Sequence, residues 1–323
     1  EWAAWRLMAR SLLVEDVAPR DVAAVISAEL CALTRRAAEL AEVRMVEAGQ
    51  GPPPARYALL VLGSAGRGES LLAADQDNAL VFEDGEPGGA TDHWFEQFAT
   101  HVAEILDEVG VPFCKGGVMA KTALWRHSLA GWHAVIDGWV RRQRPEDILN
   151  VDIFFDGVAV YGETALADAV FKHAFDTAHR SVTFQKQLTE TVRIWHAPVS
   201  VFGNLKTDAQ GRIDLKKFGL LPIFKAARAL AIKHDMRVRA TPQRLRAIIA
   251  PNKANDSEVE ALIAAHGAIM GAMLAQQLRD GERGVPLSPR VELKGLSPGQ
   301  RTALTAAVRK VATAIDLISE GRL

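Results

Sequence analysis

The chain has 323 residues, 49% apolar and 24% charged, with a formal net charge of −1, the balance of a globular protein with room for two domains and sizeable cores. Near-neutral charge excludes a global basic field for nucleic acid and leaves only a local groove. Two cysteines, Cys31 and Cys114, lie far apart, which argues against a disulfide framework and fits a reducing, cytoplasmic setting. No apolar run approaches the roughly 20 residues that span a bilayer, and no secretory signal is visible, so no membrane partner is expected. The opening EWAAWRLMAR lacks Met, as expected of a piece of a longer protein.

Along the chain, Val22, Ile26, Leu30, Leu33, Ala37 and Leu40 paint one stripe on a helix over 21–47, broken by the prolines of GQGPPPA. RYALLVLG then predicts a buried strand, NALVF (78–82) a second, and EDGEPGGA a turn. Trp94, Phe98, Val102, Ile105 and Leu106 predict an amphipathic helix over 91–109. VPFCKGGVMA reads as a short strand and a glycine-rich bend. Residues 122–142, with Trp125, Trp132 and Trp139 seven apart, read as a helix whose tryptophans serve core or interdomain packing, with base stacking the alternative for one of them. ILNVDIFFDGVAVYG (148–162) is rich in β-branched and aromatic residues and predicts strand, with a turn near Gly157.

After Gly162 the pattern becomes helical, over 164–196, 219–235, 241–250, 256–280 and 298–319. The expected fold class is α+β: a small mixed sheet with flanking helices, followed by an all-helical C-terminal domain. The expected boundaries are a helical segment over 1–50, the α/β domain over 51–163 and the helical domain over 164–323.

The chemistry concentrates in GSAGRGESLLAADQDNALVF (63–82). Asp75 and Asp77 stand at i and i+2 on the approach to a strand, so they share a face about 6.7 Å apart. Two like charges so placed repel by about 2 kcal/mol at an effective dielectric near 20. A cation between them relieves that, and Mg²⁺ takes one or two carboxylates together with phosphate oxygens. Gly63-Ser64 brings backbone N–H groups and a hydroxyl close to an anion, and Arg67 offers a bidentate fork. A P-loop fails because Glu69 stands where lysine is required. An EF-hand fails at Ala79 and Leu80, and G-x-G-x-x-G fails at Leu71.

GSAGRGE…DQD resembles the G-S…D-x-D signature of the nucleotidyltransferase superfamily, which includes DNA polymerase β, kanamycin nucleotidyltransferase and the PII-protein uridylyltransferases. LGSAGRGESLLAADQDNALVF is more specifically similar to a bacterial nucleotidyltransferase-like family found behind cyclic-nucleotide-binding and CBS domains. CKGGVMA (114–120), VDIFFDGVAVYGE (151–163) and IDLKKFGLLPIFKAARALAIKHD (213–235) extend the similarity over nearly the whole chain. Lys115 departs from it, standing where proline is expected.

The resemblance implies NTP as donor, Mg²⁺ or Mn²⁺ as cofactor, and a protein (a PII-like regulator) or small-molecule acceptor in signal transduction. It also implies sensory domains upstream of residue 1. It further implies a third acid on a neighbouring strand, for which Asp152, flanked by apolar residues, is preferred to Asp156. On this reading Asp75, Asp77 and Asp152 are catalytic and hold the metal, while Gly63, Ser64 and Arg67 bind the nucleotide. Lys216 and Lys217, at the entry to an apolar helix, are added as phosphate contacts. Two other classes stay open: a nucleotide-sensing or interaction module without turnover, and a helical self-association module. In the latter, Ile263, Ile269, Met270, Met273 and Leu274 could build a homodimer face.

Overall fold

A computed structural model of the chain describes residues 2–200, 203–249 and 256–320; position 250 of the helix expected over 241–250, and residues 321–323, lie outside them. The chain divides into two compact units. The first contains Ala24–Ser70 and Ala74–Arg180 with the first residues of the chain; the second contains Arg6–Ala23, Leu71–Ala73 and the described residues from Ser181 onward.

The first elements are α1 (Trp2–Val14) and α2 (Pro19–Glu47). In the first unit the chain continues through β1 (Tyr57–Val61), α3 (Gly63–Arg67), β2 (Asn78–Phe82), α4 (Ala90–Glu108), β3 (Arg126–Ser128), α5 (Leu129–Arg142), α6 (Pro145–Phe154), β4 (Val158–Gly162) and α7 (Thr164–Arg180). The strands form a mixed sheet in the order β3-β2-β1-β4. β1 is antiparallel to β2 and β4, and β3 is parallel to β2. Every residue of β1 and β2 is buried, which is why both read as unbroken apolar runs.

Two aromatic clusters fill this unit. Tyr57, Phe82, Trp94, Phe95 and Phe98 pack ring against ring between sheet and α4. Trp125, Trp132 and Trp139 meet each other and Phe154, and the Trp132 indole N–H donates to the Leu80 carbonyl at 2.9 Å. The expected packing role of the tryptophans therefore holds, although the expected helix over 122–142 does not hold throughout. Its first part is a 3₁₀ turn and then β3, where residues 126–128 pair with β2.

The strand expected over 148–162 is also corrected. Residues 145–154 form α6, and strand begins only at Val158. Pro145 sits in the first turn and Asp147 accepts from the Arg144 N–H, a helix start that overrides β propensity. Ile148, Val151, Phe154 and Phe155 are buried at helical spacing. The helix expected over 164–196 is likewise two helices, because Ser181 caps a new one.

The second unit contains α8 (Val182–Arg193), β5 (Arg212–Asp214), a π-helical turn over Lys216–Leu220, α9 (Leu221–Lys233), α10 (Thr241–Ala247), α11 (Asp256–Glu282), β6 (Arg290–Glu292), α12 (Pro298–Lys310) and α13 (Ala312–Glu320). It is helical apart from the two-stranded antiparallel ribbon β5–β6, built from segments that read as connectors. α11 is long and apolar enough by composition to cross a membrane, yet it carries buried His266, Gln276, Gln277 and Asp280. Gln276 and Asp280 are used: Gln276 donates to Asp280 at 2.8 Å, and its Oε1 accepts from the Glu292 N–H of β6. Ile263, Ile269, Met270, Met273 and Leu274 of α11 are buried within the chain itself.

Candidate metal and nucleotide site

The site begins where β1 ends and β2 begins. Val61 stands opposite Asn78, and one step further the Leu62 N–H donates to the Asp77 carbonyl at 2.9 Å. Over the approach to β2, Asp75 is exposed, Gln76 buried, Asp77 half-buried and Asn78 buried. This is strand alternation. Gln76 donates through Nε2 to the carbonyls of Ala103 (2.9 Å) and Val111 (2.8 Å). Its N–H donates to the Pro112 carbonyl at 3.0 Å. Asn78 Oδ1 accepts from the Ala120 N–H at 2.8 Å, and the Asn78 N–H donates to the Val118 carbonyl at 3.0 Å. The two amides are thus anchored inward, and the two aspartates share the other face.

The segment that receives these hydrogen bonds also delivers a third group. Gln76 bridges Phe113 in parallel, and a turn closes from the Gly117 N–H to the Cys114 carbonyl at 3.0 Å. One ligand atom from each of Asp75, Asp77 and Cys114 lies within 4.8 Å of the others. Burial and the adjacent carboxylates, Asp77 first, push the Cys114 thiol up to about 11, and the thiol hydrogen-bonds Asp77. Cys114 is not among the residues expected at the site from the sequence; the pairing of Gln76 with Phe113, which brings it here, is long-range and leaves no local pattern.

Gly63 closes another side. Its φ is +59°, and a Cβ there would lie 2.7 Å from Asp77 Oδ2. Glycine therefore keeps the space beside the Asp77 carboxylate clear. Ser64 follows in α3, half-buried, with its Oγ 2.8 Å from the Ser70 Oγ. Gly66 packs α3 against the α6–β4 turn, where a Cβ would meet the Asp156 carbonyl oxygen at 2.1 Å.

Arg67 is placed otherwise than expected. It is buried, donates from Nε to Glu69 at 2.8 Å, and is ion-paired with the fully buried Asp156. Burial opposes its charge, but Asp156 and Glu69 outweigh burial and hold the guanidinium firmly protonated. With its donors turned to two internal carboxylates, Arg67 ties α3 to the α6–β4 turn and is not presented as a phosphate fork. Asp156 is therefore a structural counterion.

Asp152 is buried on α6 rather than carried on the neighbouring strand expected for a third acid, and it is outside the Asp75–Asp77–Cys114 group. Lys216 and Lys217 are exposed on the π-helical turn of the second unit, where the Lys217 N–H donates to Asp214 Oδ1 at 2.9 Å.

No curated protein matches the chain. Residues 3–146 match a family model described as "Putative nucleotidyltransferase DUF294", and residues 183–320 match one described as "Putative nucleotidyltransferase substrate binding domain". The first match contains the aspartate pair and its glycine-serine neighbour; the second contains Lys216 and Lys217. The two models follow one another along most of the chain, and the chain belongs to the nucleotidyltransferase superfamily they describe.

Proposed function

We propose that this nucleotidyltransferase moves a nucleoside monophosphate from an NTP to a hydroxyl, with Asp75 and Asp77 holding a divalent cation, Mg²⁺ or Mn²⁺. The observation that carries the reading is the outward pair itself: two carboxylates aimed to one side by Gln76 and Asn78, beside a glycine that leaves room for a ligand. The donor set fits, since these cations take carboxylate oxygens together with substrate phosphates. A cation held there supplies charge neutralisation to the triphosphate.

The residues of the chain do the positioning. Backbone N–H groups at Gly63 and Ser64 open a helix and have no acceptor within it, so they suit phosphate oxygens. The Ser64 hydroxyl adds a donor. The buried Arg67–Asp156 pair keeps this corner rigid. An acceptor hydroxyl attacks the α-phosphorus in line, its proton passing to water, and pyrophosphate leaves on the opposite side. Asp152 has no part in this reading. Lys216 and Lys217 serve phosphate or acceptor binding in the helical unit. The acceptor is a PII-like regulatory protein or a small molecule, and the setting is cytoplasmic signalling.

The test is incubation of the chain with each labelled NTP, Mg²⁺ or Mn²⁺, and lysate of its source. Label should appear on a protein band or a small molecule, and Asp77→Ala should abolish it. Silence with all four nucleotides would overturn the proposal.

A further inference from the structure

The third group beside the aspartates is a thiol, and the reading above does not use it. We infer that Cys114 is a third protein ligand of the cation, which turns a hard carboxylate site into a mixed one that prefers borderline metals such as Co²⁺ or Zn²⁺ to Mg²⁺. The inference rests on Asp75 and Asp77 holding a cation, and it deepens that reading.

Three observations carry it. The ligand atoms of Asp75, Asp77 and Cys114 are within 4.8 Å of each other, close enough for one ion to touch all three. The thiol is held there by backbone pairing, since Phe113 bridges Gln76 and the chain turns back at Gly117. Gly63 keeps a Cβ away from Asp77 Oδ2 on another side, so the carboxylate has space at the shared point. No further His, Asp or Glu joins this group among the described residues, which leaves the remaining coordination positions to substrate phosphate and water.

Ligand chemistry gives the consequence. Carboxylates suit Mg²⁺ and Mn²⁺ alike, whereas thiolate discriminates in favour of softer ions. As a cation enters, the Cys114 proton leaves to solvent and the sulfur lone pair takes its place on the metal. Cys31, in α2, is the other thiol of the chain and is not in this group.

The experiment is a titration of the full chain with CoCl₂, read by absorption. A thiolate on Co²⁺ gives a near-ultraviolet sulfur-to-metal charge-transfer band, which carboxylates and water do not give. The band should appear in the wild-type chain and in Cys31→Ser, and vanish in Cys114→Ser. Calorimetry should show Co²⁺ binding about tenfold or more weaker in Cys114→Ser, with Mg²⁺ affinity changed less than about threefold.

Because the spectra of the wild-type chain and of Cys31→Ser together decide, the test survives a Cys114→Ser variant that folds poorly. A wild-type chain that binds Co²⁺ without the band overturns the inference, as does Cys114→Ser with unchanged band and affinity. If Asp77→Asn weakens Co²⁺ binding while Cys114→Ser does not, only the thiol ligand is lost. If Asp77→Asn leaves Co²⁺ and Mg²⁺ affinity intact, the carboxylate site itself fails and the thiol ligand with it.

Discussion

Two polar clusters arise from the same short stretch and end in opposite environments. Arg67 lies inside with Glu69 and Asp156, its charge matched by internal partners. Asp75 and Asp77 lie at the outward end of β2, exposed and half-buried, beside the Cys114 thiol. A buried charge survives only with a partner in place, so the first cluster completes itself and serves the fold. The second sets two carboxylates side by side within reach of solvent, where a cation can approach them. Burial, rather than residue type, separates the two clusters.

The largest effect expected is on the closed cluster. Arg67→Leu strands two carboxylates and should cost about 3–5 kcal/mol. That is a melting temperature lower by on the order of 10 °C for a chain of this size, measured by calorimetry. A drop of under about 2 °C would show that the cluster is not what holds α3 in place.

Asp77→Asn should behave in the opposite way. Transfer should fall by about 10²-fold or more, while the melting temperature stays level or rises as like-charge repulsion is relieved. Parallel loss of stability and activity would erase the contrast between the clusters.

A second closed pair gives the pH dependence. Asp92 accepts from Arg126 Nε at 2.6 Å and from the Gly88 N–H at 2.8 Å. Burial raises its carboxyl, but Arg126 and Gly88 outweigh that and hold it below the usual range. A depressed carboxyl contributes stability above the unfolded value of about 3.9 and loses it as pH falls through the lower folded value. Asp92→Asn should therefore cost about 1.5–3 kcal/mol at pH 7 and flatten the acid limb of the stability curve below about pH 4. Urea melts at several pH values measure both.

The smallest effect sharpens the open cluster. Gly63→Ala at φ +59° should cost about 1–2 kcal/mol and, by pushing the Asp77 carboxylate aside, weaken Mn²⁺ binding severalfold in calorimetry. Unchanged binding would mean that the space beside Asp77 does not matter to the cation.

Much of the fold was legible where the signal is local. β1 and β2 read as apolar runs because both faces are buried, and the D-x-D pair could be assigned one face from strand geometry alone. The tryptophans were recognisable as packing by size. What misled was propensity at short range: NVDIFF carries strand-forming residues, yet Arg144-Pro145 and Asp147 start a helix there. β3 escaped notice because three residues, Arg126 to Ser128, become a strand only by pairing with β2. The role of Arg67 was hidden for the same reason, as its counterion Asp156 lies 89 residues further along the chain, just before β4.

The sequence by itself determined that a glycine-serine turn and two aspartates one residue apart sit between buried strands, because period-two geometry and hydrophobic runs are properties of neighbours. Only the tertiary structure decided which charges would be satisfied internally. Arg67 met Asp156, and Cys114 met Asp75 and Asp77, through pairings between distant segments, and the energy of a charge is set by what surrounds it in space rather than by its place in the chain.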